Sequence, residues 1–131
     1  MSEAGEATRF PVVIHHNPGC GTSRNVLTLI EDAGYRPTIV EYLKTGWTRP
    51  QLIALFAAAG LTPHEALRTA RSPAAELGLL DPAIDEETLL AAMTEHPELV
   101  NRPIVCTPKG VRLCRPAERV LELLERRPDR S

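Results

Sequence analysis

The chain reads as an α/β protein: a mixed four-stranded sheet with an inserted run of short helices. Three observations predict it. Two β-branched runs, at 10–14 and 38–43, bracket a segment of helical period. The stretch from 48 to 96 carries only helix starts and stops. Two further β-branched runs, at 104–107 and 111–114, flank a glycine-bearing turn.

Phe10-Pro11-Val12-Val13-Ile14 is too short for a helix and is read as a buried strand. His15 to Ser23 is turn chemistry. From Ser23 the period changes. Val26, Leu27, Ile30 and Ala33 recur at helical spacing, and Gly34 stands where a C-terminal cap belongs. Thr38 to Leu43 is the second strand, on its β-branched content. Thr48 then opens a helix, with Pro50 in the first turn and Gln51 as a capping-box partner. Leu52, Leu55, Phe56 and Ala59 form its apolar stripe, and Gly60 ends it. Thr62-Pro63-His64-Glu65 repeats the signature. Ser72-Pro73 starts a shorter helical turn. Residues 86–95 form another helix, with Leu89, Leu90 and Met93 on one face and Pro97 as its stop. Ile104–Thr107 and Val111–Cys114 read as a hairpin around the three-residue turn Pro108-Lys109-Gly110. Pro116 begins a final helix carrying Val120, Leu121 and Leu124.

With the helical run removed, the order is β-α-β followed by β-β-α. That is the thioredoxin/glutaredoxin arrangement. Its first crossover makes strands one and two parallel, and the hairpin adds an antiparallel pair. The 131 residues suit one domain. Residues 1–9 and 126–131 are expected to be loose, and 48–96 to be a helical insertion. Hydrophobic residues are 43% of the chain but aromatics only 4%, so the core must be aliphatic and alanine-rich.

Fifteen basic and seventeen acidic side chains leave a formal charge of −2. Such a balance offers no long-range attraction for nucleic acid or an anionic membrane. No apolar run reaches the roughly 20 residues that cross a bilayer. The first ten residues lack a basic and an apolar segment, so no signal peptide is read. Three cysteines are too few, and odd in number, for a disulfide framework. The expected compartment is the cytoplasm, where a cysteine matters for its reactivity. Neither the cysteines nor the histidines have the paired spacing of a zinc site.

Ligands in open α/β sheets bind beyond the carboxyl ends of strands, where helix N-termini point. Cys20 lies at that place. Unpaired amides and a partial positive charge of roughly half a unit favour thiolate over thiol there. Gly19 and Gly21 let backbone approach an anion, and Thr22 and Ser23 add hydroxyl donors. The same position also suits a small residue buried under a loop. His15 and His16 end the first strand just before the loop, and a histidine four residues from the cysteine could stabilise the thiolate or order the loop, or be a hydrogen-bonded structural residue. The fourth position of Cys20-Gly21-Thr22-Ser23 is serine, so an intramolecular CxxC disulfide is ruled out.

His16-Asn17-Pro18-Gly19-Cys20-Gly21-Thr22-Ser23-Arg24-Asn25 resembles the active-site loop of the glutaredoxin-coupled arsenate reductases of ArsC type. Asn101-Arg102-Pro103-Ile104-Val105 and Arg112-Leu113-Cys114-Arg115-Pro116 resemble two further motifs of that family, in the right order. The resemblance runs from about residue 12 to 124 and includes Leu67-Arg68 and Glu76-Leu77-Gly78-Leu79. It implies that Cys20 is the nucleophile, that His16 helps lower its pKa, and that Arg68, Arg102 and Arg115 bind the oxyanion. The chain departs from the family after Arg68, where Thr69-Ala70 replaces the usual Lys-Asn, so Arg71 is the alternative third ligand. The resemblance also implies a cis Arg102-Pro103 bond.

The implied reaction is the reduction of arsenate through a thiol–arsenate ester on Cys20. Glutathione, or another small thiol, and glutaredoxin would resolve it and release arsenite, with no bound cofactor and no metal. Cys106 and Cys114 read as apolar fillers. Two other readings share the scaffold. One is a different thiol-dependent reductase or glutathione transferase, which would not need all three arginines. The other is a non-enzymatic Spx-like regulator, which usually carries the CxxC that is missing here.

Overall fold

A computed structural model describes residues 10–127. Of the termini expected to be loose, 1–9 and 128–131 lie outside the described residues. Two compact units are present, one drawn from Met1–Glu41 and Arg102–Ser131, the other being Tyr42–Asn101.

The first unit holds the sheet. Strand β1 (Val13–His16) leads to helix α1 (Gly21–Asp32) and strand β2 (Thr38–Glu41). Strands β3 (Ile104–Thr107) and β4 (Gly110–Leu113) precede a 3₁₀ helix, Ala117–Leu123. The sheet order is β2-β1-β3-β4. Strands β1 and β2 are parallel, with Val13 opposite Thr38. Strand β3 is antiparallel to β1, with Ile14 opposite Val105, and to β4, with Ile104 opposite Leu113. Ile14, Val26, Ile30, Val105, Cys114, Val120 and Leu123 sit in its aliphatic core. Gly34 ends α1 as expected. Its φ is +93°, its amide donates to Glu31 O, and the Tyr35 amide donates to Ile30 O.

Several boundaries differ from the sequence reading. Strand β1 starts at Val13, three residues late, and ends on the two histidines as read from the sequence; both are buried. Their rings are hydrogen-bonded, so polarity does not bar them from the interior. The hairpin turn has two residues rather than three. Gly110 pairs with Thr107 as part of β4, at a φ of +144° that favours glycine. Cys114 lies just beyond β4, and its amide donates to Pro103 O. The final segment is 3₁₀ rather than α-helical. Arg102-Pro103 is cis, and so is Arg115-Pro116.

The second unit is helical: α2 (Tyr42–Thr45), α3 (Arg49–Ala59), α4 (Pro63–Ala66), α5 (Glu86–Glu95) and a 3₁₀ turn, Pro97–Leu99. Both expected capping boxes form. Thr48 Oγ1 accepts from the Gln51 amide, and the Gln51 side chain accepts from the Thr48 amide. Thr62 and Glu65 make the same reciprocal pair. Gly60 closes α3 at φ +70°. The β2 run stops at Glu41, earlier than expected, because Tyr42 turns into α2. Its ring stacks on Trp47 with centroids 5.0 Å apart. Ser72-Pro73 forms turns but no helix; Ser72 Oγ donates to Arg68 O and accepts from the Ala74 amide.

Candidate active site around Cys20

The loop between β1 and α1 is tied by its own polar groups. The Cys20 amide donates to Asn17 O at 3.0 Å, and the Gly19 amide to Asn17 Oδ1 at 2.9 Å. The Asn17 amide in turn donates to Ser23 Oγ at 3.1 Å. Ser23 is fully buried, and its Oγ shares a 2.6 Å hydrogen bond with His16 Nδ1. Arg24 Nη1 donates to Pro18 O at 2.8 Å and closes the loop from the outside. Cys20 is the N-cap of α1, with extended backbone and no cap hydrogen bond from its side chain. Of the first-turn amides, that of Ser23 acts on its thiol.

The sulfur is half-buried between donors that the chain supplies from two places. Burial pushes the thiol up. The Ser23 amide, the Arg102 guanidinium and the Arg115 guanidinium more than offset this and bring it from an ordinary 9.0 down to about 7. Arg115 Nη1 lies 3.8 Å from Cys20 Sγ and also donates to Arg102 O at 3.0 Å. Cys20, Ser23, Arg102 and Arg115 are thus brought together, from the two ends of one unit. Gly21 is exposed and Thr22 half-buried in the first turn of α1.

Ser23 meets the thiol through its amide, because its hydroxyl is engaged by His16 and Asn17. His16 stands beside Ser23, its Nδ1 2.6 Å from Ser23 Oγ. Burial holds its pKa below the ordinary 6.5, against an opposing pull from Glu41. Its contact with the loop is Ser23, and the groups that lower the Cys20 pKa are the Ser23 amide and the two arginines.

The other thiols differ in kind. Cys114 is fully buried and its pKa is pushed up to about 12, chiefly by that burial. Cys106 is half-buried and is raised for the same reason. Both fit the filler role. Arg68 belongs to the second unit, where Leu67 bridges to Val100 and the Arg68 amide donates to Leu99 O. Its Nε donates to Ala70 O at 2.8 Å and its Nη1 to Asn101 Oδ1 at 3.5 Å. Arg71 is exposed and has a φ of +54°, the left-handed region.

These motifs lie within one family match. The profile of the ArsC family covers residues 15–123, from β1 through the loop and both arginine-proline pairs to the last 3₁₀ helix. The chain belongs to the ArsC family. An arsenate reductase of Synechocystis is 67% identical over 121 residues, which is 92% of this chain and 84% of that protein. One from Rhizobium meliloti is 58% identical over 86% of this chain and 81% of that protein. Among solved structures, an arsenate reductase from Vibrio cholerae has a TM-score of 0.83 at 40% identity, covering 88% of this chain and 98% of that one.

In this ArsC-family chain the sequence reading missed three parts of the site. Asn17 caps the loop through Oδ1, for which Asn-Pro at a turn is the available signal. The Arg24 clamp on Pro18 has no local signal. The split between the Ser23 amide and hydroxyl shows only in three dimensions. Among the described residues, no three His, Cys, Asp or Glu side chains gather to hold a metal, and no helix is long and apolar enough to cross a membrane.

Proposed function

We propose that this chain reduces arsenate to arsenite, with Cys20 as nucleophile and with glutathione and glutaredoxin supplying the electrons. One observation carries the reading: a half-buried thiol near 7 that faces two guanidinium groups and a helix-terminal amide. Arsenate is a tetrahedral anion, and guanidinium groups hold such anions through paired, charge-assisted hydrogen bonds.

The Cys20 thiolate attacks arsenic. A sulfur–arsenic bond forms, and one arsenic–oxygen bond breaks. That oxygen takes up a proton and leaves as water, and arsenic stays pentavalent. Arg102 and Arg115 offset the charge on the remaining oxygens, and the Arg115–Arg102 hydrogen bond keeps the pair in register. The family resemblance makes Arg68 the third oxyanion ligand, with Arg71 as the alternative. First-turn groups of Gly21, Thr22 and Ser23 complete the anion cradle. His16 is a positioning residue that holds Ser23. Two external thiols then give up two electrons. Arsenic becomes trivalent, the two sulfurs end as a disulfide, and Cys20 is released. The balance is one arsenate and two thiols to one arsenite, one disulfide and one water. No resident cofactor is needed, and the reducing cytoplasm is the compartment that supplies the thiols.

The test is arsenate-dependent NADPH consumption in an assay coupled through glutathione, glutaredoxin and glutathione reductase. Wild type should turn over and Cys20→Ser should not. Turnover by Cys20→Ser would overturn the nucleophile assignment, and no arsenate dependence in wild type would overturn the activity. Arg68→Lys and Arg71→Lys, compared by KM for arsenate, decide the third ligand.

A further inference from the structure

Asn101 stands beside Arg68 on a frame that only backbone makes. Leu67 bridges to Val100. On either side of that pair the Arg68 amide donates to Leu99 O at 2.7 Å and the Asn101 amide to Ala66 O at 2.8 Å. Those bonds ask nothing of the side chain at 101. Yet Asn101 Oδ1 accepts from Arg68 Nη1 at 3.5 Å, while Ala70 O takes the Arg68 Nε hydrogen at 2.8 Å. Ser72 Oγ donates to Arg68 O and braces the loop from behind. Two acceptors at two nitrogens fix the plane of a guanidinium, where one would let it swing. An arginine so held has given up rotamer freedom before a ligand arrives. Both acceptors are neutral. A neutral oxygen takes a guanidinium hydrogen and leaves the charge standing. A carboxylate would offset it, as Glu87 does for Arg49, gripping Nη2 with both oxygens at 2.7 Å.

We infer that Asn101 is a positioning residue for the arsenate reaction: its Oδ1 holds the Arg68 guanidinium oriented for the oxyanion without offsetting its charge. The inference rests on Arg68 being the third oxyanion ligand, as proposed above. Asn101 acts on arsenate only through Arg68. Asparagine suits the task on two counts. Its side chain is short, so the acceptor keeps its place. It is also uncharged, so the guanidinium it holds still attracts an anion at full strength.

The test is a double-mutant cycle read by KM and kcat for arsenate in the coupled assay, with the alkylation midpoint of Cys20 alongside. Asn101→Ala should raise KM about fivefold and change kcat less than about twofold, because the ordering of Arg68 then falls on the binding step. In an Arg68→Ala background the same change should raise KM by less than about 1.5-fold. Asn101→Asp keeps an acceptor at the same atom but brings a charge, and should raise KM at least as much as Asn101→Ala. A merely structural contact would instead be restored by Asp, so a wild-type KM in Asn101→Asp would overturn the claim for a neutral acceptor. Equal rises in KM in both backgrounds would overturn the route through Arg68. The Cys20 midpoint should stay near 7 in Asn101→Ala. A higher midpoint would mean that Asn101 acts on its neighbour Arg102, and would overturn the assignment. If Asn101→Ala fails to fold, Asn101→Ser, too short to reach Nη1, takes its place in the cycle. A wild-type KM in Arg68→Ala would overturn the ligand role of Arg68 itself, and no arsenate dependence in wild type would overturn both readings. A raised KM in Arg68→Ala beside a wild-type KM in Asn101→Ala would leave the ligand role standing and overturn only the positioning.

Discussion

Arg115→Gln removes one charge from the Cys20 thiolate and keeps a side chain of similar reach. Burial raises this thiol, yet it sits near 7 against an ordinary 9.0, so the Ser23 amide, Arg102 and Arg115 together supply more than the net two units. An even share among three donors makes Arg115 worth about one unit. The midpoint for alkylation should therefore rise from about 7 to about 8. A single rate at neutral pH is a poor readout. The thiolate fraction at pH 7 would fall about fivefold, but a thiolate of higher pKa is about threefold more nucleophilic, so the net loss is only about twofold. The full pH profile separates them. Iodoacetamide rates from pH 5 to 10 should show the midpoint about one unit higher and the high-pH plateau up to about threefold higher in the variant. A midpoint that stays near 7 would refute the claim that Arg115, at 3.8 Å, helps hold the sulfur ionised.

Three further outcomes follow from the same geometry. Because the folded thiol titrates below its unfolded value, Cys20 adds stability that is full above about 9 and lost as pH falls through about 7. Solvent reach reduces the nominal two-unit gain to about 1 kcal/mol, and urea midpoints of wild type minus Cys20→Ala at pH 6.5 and 8.5 should show it growing with pH. Ser23→Ala strips His16 Nδ1 and the Asn17 amide of a shared partner and should cost about 1–3 kcal/mol in urea unfolding. Cys114→Ser buries a hydroxyl among apolar side chains and should cost about 1–3 kcal/mol, with the alkylation midpoint of Cys20 unmoved.

The readable parts of this chain are those governed by local rules. Thr48, Gln51, Thr62, Glu65 and Gly60 announce helix ends through capping chemistry that involves only near neighbours. Gly34 does the same for α1. The parts that escaped depend on partners far along the chain. That His15 is satisfied inside the sheet by Ile104 O, 89 residues away, has no local signal. The segment after Pro116 stays 3₁₀, and its end is held from elsewhere. Thr107 Oγ1 donates to Leu123 O, and Tyr35 Oη accepts from the Glu125 and Arg126 amides. At the site, the position of Cys20 at a helix start was legible from period and glycine flanks. The convergence of Arg102 and Arg115 was not. A lone arginine carries no spatial information, and only motif resemblance singled out these two. His16 stands at the site through a contact only the fold reveals, its Nδ1 lying 2.6 Å from Ser23 Oγ.

Ser23 gives a physical reason for a loop with a single cysteine. In a two-thiol loop this position would carry the resolving cysteine. Here the side chain is fully buried, 2.6 Å from His16 Nδ1 and 3.1 Å from the Asn17 amide. Those are oxygen distances, too short for the larger radius of sulfur. A second thiol at 23 would have to push His16 out of the sheet or turn away from the loop it now ties. The Ser23 amide would then lose the anchor that aims it at Cys20. Holding the first sulfur ionised and providing a second sulfur are therefore competing uses of one residue. The chain has taken the first. The proposed reaction accordingly draws its electrons from thiols outside the chain.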